Sequence, residues 1–144
     1  MSQAGSYTLY REAESIVLLR CSGVLSNEAF QSYLAQFDAL LAAARPYALI
    51  LDLRQVAVPN AVQRKLQADW MRDHEPKLRA LCRGGAFVIQ STPIRGVMTA
   101  ILWLQPMPFD YVVVATIDEA VSWAALRVGV SADNVRLPSG GAVR

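Results

Sequence analysis

Ala48-Leu49-Ile50-Leu51-Asp52-Leu53, followed by the loop Arg54-Gln55-Val56-Ala57-Val58-Pro59 and then by Asn60-Ala61-Val62-Gln63-Arg64-Lys65-Leu66, is the stretch on which the fold turns. A six-residue run interrupted only by Asp52 has the composition of a strand covered on both faces, as in parallel sheets. Asn60 can cap a helix, and Gln63 three positions later completes a capping box. Val62, Leu66 and Trp70 are expected to form the inner stripe of that helix. A strand feeding a helix through a short loop is half of a βαβ unit. Its junction lies at the carboxyl end of the sheet, where parallel α/β proteins place ligands and partners.

Working back towards the N-terminus, Tyr7 to Arg11 and Ser15 to Cys21 carry β-branched and aromatic residues around Glu12-Ala13-Glu14, the pattern of an antiparallel hairpin. Gly23 breaks the second strand, and Ser26 is the expected N-cap of a helix with Glu28 in its first turn. Phe30, Tyr33, Leu34, Phe37, Leu40, Leu41 and Ala44 recur at helical spacing, and Pro46 ends the run.

Working forward, Pro76 should interrupt the helix begun at Asn60, because it lacks the amide donor and clashes with the preceding turn. A further turn or two through Leu78 and Leu81 is expected to end at Gly84-Gly85. Ala86 to Gln90 reads as a short strand, and Ser91-Thr92-Pro93 has the cap-then-proline chemistry of a helix start. Ile94 to Leu104 is apolar nearly all round apart from Arg95 and Thr99. Tyr111 to Ala115 reads as another buried strand. Thr116 and Glu119 form a capping box for a helix over Ile117 to Val128, which Gly129 closes. The expected class is therefore α/β: a mostly parallel central sheet with an N-terminal antiparallel hairpin and about four helices, in the order β-β-α-β-α-β-α-β-α. Residues 1–128 form one domain, and 129–144, poor in large apolar side chains, are expected to be a mobile tail.

Bulk composition narrows the role. A chain of 144 residues fits one domain that buries roughly two thirds of the surface its unfolded form exposes. Apolar residues make up 53% and charged ones 18%, which excludes disorder and points to an apolar surface besides the core. The net charge of +2, not gathered into one block, argues against nucleic acid. Cys21 and Cys82 have neither metal-ligand nor redox spacing and read as buried, reduced thiols. The opening residues lack the basic segment and apolar core of an export signal, and no apolar run reaches a membrane-spanning length of roughly 20 residues. A cytoplasmic location is the expectation.

With that element order in place, three local patterns carry a likeness: Leu51-Asp52-Leu53 with Val56 and a loop into a helix; Gly23-Val24-Leu25-Ser26 leading into the first long helix; and Asp118-Glu119-Ala120-Val121-Ser122-Trp123 in the last. Over roughly Tyr7 to Val128 the chain resembles the STAS superfamily, the SpoIIAA-like fold of anti-sigma-factor antagonists and sulfate-transporter tails. It is closest in character to an uncharacterised SpoIIAA-like subgroup. The resemblance implies an Asp-Ser pair, with the serine phosphorylated, at the start of the helix after this strand. In this chain the pair falls on Asn60 and Ala61. Alanine offers no acceptor hydroxyl, so a phosphorylation switch is excluded at that position. What the resemblance leaves is a surface for a protein partner or a small anion.

Few residues suggest chemistry. His74, the single histidine, lies between Asp73 and Glu75 with no second ligand at metal spacing, and reads as a solvated or capping side chain. Ser91, Thr92 and Arg95 stand at a helix start after a parallel strand, where free amides attract anions, with ordinary capping as the plainer explanation. Arg54, Asn60 and Ala61 at the end of the neighbouring strand are expected to face the same crevice. Arg64, Lys65, Arg72, Lys77, Arg79 and Arg83 are interleaved with Asp69, Asp73 and Glu75, the pattern of a solvated helix face. Trp70, Trp103 and Trp123 read as core or interface anchors.

A helix apolar on every side must be covered on every side, deep in the domain or by a second subunit. A homodimer is the expectation, with Met98, Leu102, Trp103, Met107 and Phe109 as its apolar patch. No catalytic set, metal site or cofactor is expected; an enzyme using Asp52, Ser91 and Arg95 has least support, because those residues form no set of nucleophile, base and orienter. The role read from the chain is recognition of a protein partner or small ligand by a non-enzymatic domain. The alternative is a carrier of an apolar or amphipathic molecule held between the helix over Ile94 to Leu104 and the sheet.

Overall fold

Strands β1 (Ser6–Glu12) and β2 (Ile16–Gly23) pair antiparallel, and β2 then pairs parallel with β3 (Tyr47–Val56). β4 (Cys82–Val88) and β5 (Tyr111–Val114) continue the parallel run, so the sheet order is β1-β2-β3-β4-β5. These elements come from a computed structural model that describes residues 5–12 and 15–135. The helices are α1 (Asn27–Ala42), α2 (Ala61–Asp73), α3 (Glu75–Leu81), α4 (Thr92–Leu104) and α5 (Ile117–Val128), with a short 3-10 turn at Ala132–Asn134. Of the expected C-terminal tail, 129–135 are described, and Val130, Ala132 and Val135 pack against the core that α5 covers. Residues 136–144 lie outside the described residues.

The strand order explains the layering. Crossovers of one hand, in a sheet that grows steadily in one direction, put every connecting helix on the same face. α1, α2, α3 and α4 accordingly share a core with Val17, Leu19, Leu49, Leu51 and Phe87. α5, which connects to no further strand, folds back over the other face onto Ile16, Leu18, Ala48, Ile50 and Val88. The order never reverses, so the sheet has no switch point of the kind that opens a crevice at its carboxyl edge.

The two faces are packed differently. α5 lies close to β3 and β4 because it presents Ala120, Ala124 and Ala125 to Ala48 and Ala86. Gly84 takes part: a Cβ there would lie 2.6 Å from the Trp123 ring. On the opposite face the helices present Phe, Tyr, Leu and Met, and these larger side chains hold α4 beside α2, its chief contact.

Local chemistry matches the expected caps. Ser26 accepts from Ala29 N, and Asn60 with Gln63 and Thr116 with Glu119 close capping boxes. Gly129 ends α5 in the left-handed region with φ 74°. Pro76 separates α2 from α3 at His74. Three local expectations are corrected. Gly84 and Gly85 lie inside β4 instead of ending a helix, because α3 passes directly into the strand. Of the expected inner stripe of α2, Leu66 and Trp70 pack against the core but Val62 points to solvent, and Gln63, Ala68 and Met71 are buried instead. β5 is an edge strand, half-exposed along its length.

Candidate functional site

The six residues expected to form a binding surface occupy different surroundings. Along β3, alternate side chains face opposite sides; Leu53 joins the core under α1 to α4, while Arg54 turns to the other face and closes onto Asp52. Asn60 is tied into α2: its Oδ1 accepts from Gln63 N at 2.8 Å and its Nδ2 donates to Asn27 Oδ1 at 3.1 Å. Gln63, almost wholly buried, donates to Leu25 O at 2.8 Å and so joins the start of α2 to that of α1. Ala61 is exposed in the first turn of α2, and the 57–61 turn is largely open to solvent. Ser91 accepts from Ile94 N at 3.3 Å as the cap of α4, and Thr92 and Arg95 are exposed. Arg54 is thus separated by the sheet from the helix-start groups.

The apolar patch residues divide as well. Met98, Leu102, Met107 and Phe109 turn inward, whereas Trp103 is 84% exposed with Leu104 beside it. The four inward residues line a partly open cavity of about 210 Å³ between α4, α1, α2 and the sheet. Tyr47, Leu49, Leu51, Leu53 and Val56 of β3 line its sheet side. Its exposed lining residues, Val24, Ala57, Val58 and Asn60, lie at the carboxyl end of the sheet. An apolar hole of about 150 Å³ is enough to stay dry and admit a benzene-sized molecule.

The walls carry no charge at neutral pH. Burial, and then the Asp52 charge, push the Cys21 thiol up to about 12. Burial raises the Tyr33 hydroxyl well above its ordinary value, and its oxygen donates to Gln67 Oε1 at 3.2 Å. The polar side chains of the lining are largely satisfied by one another, which leaves packing as the main interaction with anything bound. Cys82, outside this cavity, is also pushed up to about 12 by burial. Both cysteines are free and buried.

Two polar clusters were not legible in the sequence as sites. Asp52, 1% exposed, accepts from Arg20 Nε at 2.7 Å and from Arg54 Nε and Nη2 at 2.9 and 2.8 Å. Burial alone would raise its carboxyl; hydrogen bonds from Arg54 and Arg20 outweigh that and hold it below the usual carboxylate range. The second is an open cleft of about 370 Å³ at the amino ends of β4 and β5, lined by Arg79, Arg83, Arg127 and Asp110. His74 serves structure: it stacks on Trp70 at 4.4 Å, and both rings reach Asp38 Oδ1, at 3.1 and 2.9 Å. On the basic face of α2 and α3, Lys65 and Arg72 pair with Asp69, and Arg79 with Glu75. No group of three or more metal-binding side chains occurs among the described residues. Nor, among them, is any helix long and apolar enough to cross a membrane.

A five-stranded sheet with one antiparallel edge strand, four helices on one face and one on the other defines an α/β domain of the SpoIIAA-like type. Solved structures bear this out. The chain is similar to a DUF3478-family protein with a SpoIIAA-like fold from Shewanella loihica PV-4, at 13% identity and a TM-score of 0.63, covering 86% of this chain and 98% of that one. It is also similar to an anti-sigma factor antagonist from Mycobacterium paratuberculosis, at 17% identity and a TM-score of 0.60, with the same coverage of 86% and 98%. No family model matches the sequence, and no curated protein does.

Proposed function

We propose that this domain works by recognition without turnover, and that what it recognises is an apolar small molecule held between α4 and β3. The supporting observation is the uncharged cavity, to which Met98, Leu102, Met107 and Phe109 contribute from α4 and the loop after it. Burial of apolar surface supplies the affinity, at roughly 25 cal/mol per Å² removed from water. Because α4 leans chiefly on α2, it is the element best able to yield as a ligand enters.

Native mass spectrometry of gently desalted protein, followed by titration with an environment-sensitive apolar dye, tests this. A stoichiometric extra mass or saturable dye binding is expected, and both should be lost in Met98→Trp, which fills the cavity. Leu102→Trp serves as the second filling variant. An empty protein that takes up no apolar probe ends the reading.

A protein-partner role is the second reading. It is supported by the exposed Val58 and Val62 around the hydroxyl-free start of α2, and by the fold shared with an anti-sigma factor antagonist. Under it the domain is cytoplasmic, binds no nucleic acid and pairs as a homodimer through Trp103 and Leu104. Crosslinking from Val62→Cys into a discrete complex, with the cavity empty, favours this reading over the first.

A further inference from the structure

We propose that the carried molecule is a long-chain carboxylate, its chain lying along β3 and its acid group held by Arg79, Arg83 and Arg127. This rests on the apolar-carrier reading and adds the class of ligand and its orientation.

The apolar cavity and the arginine cleft share a wall: Met107 and Phe109 line both. On the far side, consecutive residues of α3 serve the two spaces, Leu78 lining the cavity and Arg79 the cleft. The Phe109 ring sits where β4 lacks a side chain, since a Cβ on Gly85 would lie 2.7 Å from Phe109 Cε1. An apolar cavity separated from a basic cleft only by the Met107 and Phe109 side chains suits an amphipathic guest. The row of Tyr47, Leu49, Leu51, Leu53 and Val56 along one wall suits a flexible chain better than a compact ring system.

Charge selects the head. Arg127 is held in place: its Nε donates to Arg83 O at 2.9 Å, its Nη2 to Asp110 Oδ2 at 2.8 Å, and its guanidinium lies 5.2 Å from the centre of the Trp123 ring. Arg79 pairs with Glu75 at 2.8 Å. Arg83 is exposed, and among the described residues its guanidinium has no ion-pair partner. The cleft therefore keeps one positive charge in excess, which matches a single carboxylate, and a guanidinium fork meets that group with two parallel hydrogen bonds.

The test is calorimetric titration of the full chain with decanoate and with 1-decanol, which share a chain and differ in the charge of the head. Decanoate should bind at least about threefold more tightly than decanol, the scale of a partly exposed ion pair, and the advantage should shrink at high salt. Arg83→Gln and the double variant Arg79→Gln/Arg83→Gln change exposed side chains and leave the fold intact. They should bring decanoate to the decanol value and leave decanol unchanged. Equal binding of the two in the unaltered protein, or a decanoate preference undiminished in the double variant, overturns the headgroup assignment while the carrier reading stands. Binding of neither removes both.

Discussion

Arg20 and Asp52 lie opposite each other in the parallel register of β2 and β3, and Arg20 Nε donates to Asp52 Oδ2 at 2.7 Å. Arg54 completes the cluster from two residues along β3, so one buried carboxylate holds two guanidinium groups on the face of the sheet that carries α5. Removing the anion takes the buried carboxylate from both cations. Asp52→Asn should lower the unfolding free energy by about 3–5 kcal/mol, the usual cost of breaking a buried charge pair from one side. Urea denaturation measures it, and a loss under about 1 kcal/mol would show that the cluster is peripheral.

The same carboxyl sets an acid limit. Its folded-state pKa lies below the ordinary value, so its contribution is fully present above the unfolded value of about 3.9 and is lost as pH falls through the folded value. Stability of the unaltered protein should therefore fall steeply below about pH 4. The Asp52→Asn variant should show a shallower fall, read by the denaturation midpoint at successive pH values.

Cys21 and Cys82 are buried with thiols pushed up to about 12. Neither should react with a disulfide reagent at pH 8 in the native protein, since the thiolate is the reactive form. Two thiols per chain should titrate at once in denaturant, as the sequence contains two cysteines. Rapid native labelling of either one would contradict its placement.

Gly85→Ala drives a methyl group into Phe109 and against Phe87, whose Cε1 lies 3.1 Å from the new atom's position. The expected cost is about 1–3 kcal/mol, as for other overpacked cores. The same variant should alter apolar-dye binding, because Phe109 is displaced from the cavity wall.

Trp103 and Leu104 form no part of the core, so Trp103→Gln should change stability by no more than about 0.5 kcal/mol. If α4 mediates the proposed dimer, the unaltered chain sediments as a dimer and Trp103→Gln/Leu104→Gln as a monomer. A monomer in both cases discards the α4 contact.

Much of this molecule could be read locally. The caps at Ser26, Asn60, Ser91 and Thr116 follow from side-chain oxygens placed before a helical run, a signal that needs no tertiary context. The stripe from Phe30 to Leu41 is legible for the same reason, as its period exceeds any competing pattern. The buried place of Gln63 on α2 was not, because the residue is polar and its burial depends on Leu25 and Asn27 of another segment. Gly84-Gly85 looked like a break because their use, making room for Trp123 and Phe109, involves residues 24 or more positions away.

Sequence alone determined the order of strands and helices, the class of sheet, the helix starts at Ser26, Asn60, Ser91 and Thr116 and the lack of an acceptor hydroxyl at Ala61, since each depends on neighbouring residues and on backbone chemistry. Tertiary structure decided that the strands run in steady order with four helices on one face. It also decided that Met98, Leu102, Met107 and Phe109 line a cavity while Trp103 faces outward. The physical reason is that apolar character sets a residue's preference to leave water, whereas the distance between packed layers, set here by alanines on one face and aromatics on the other, determines whether that preference is met by close contact or leaves a space.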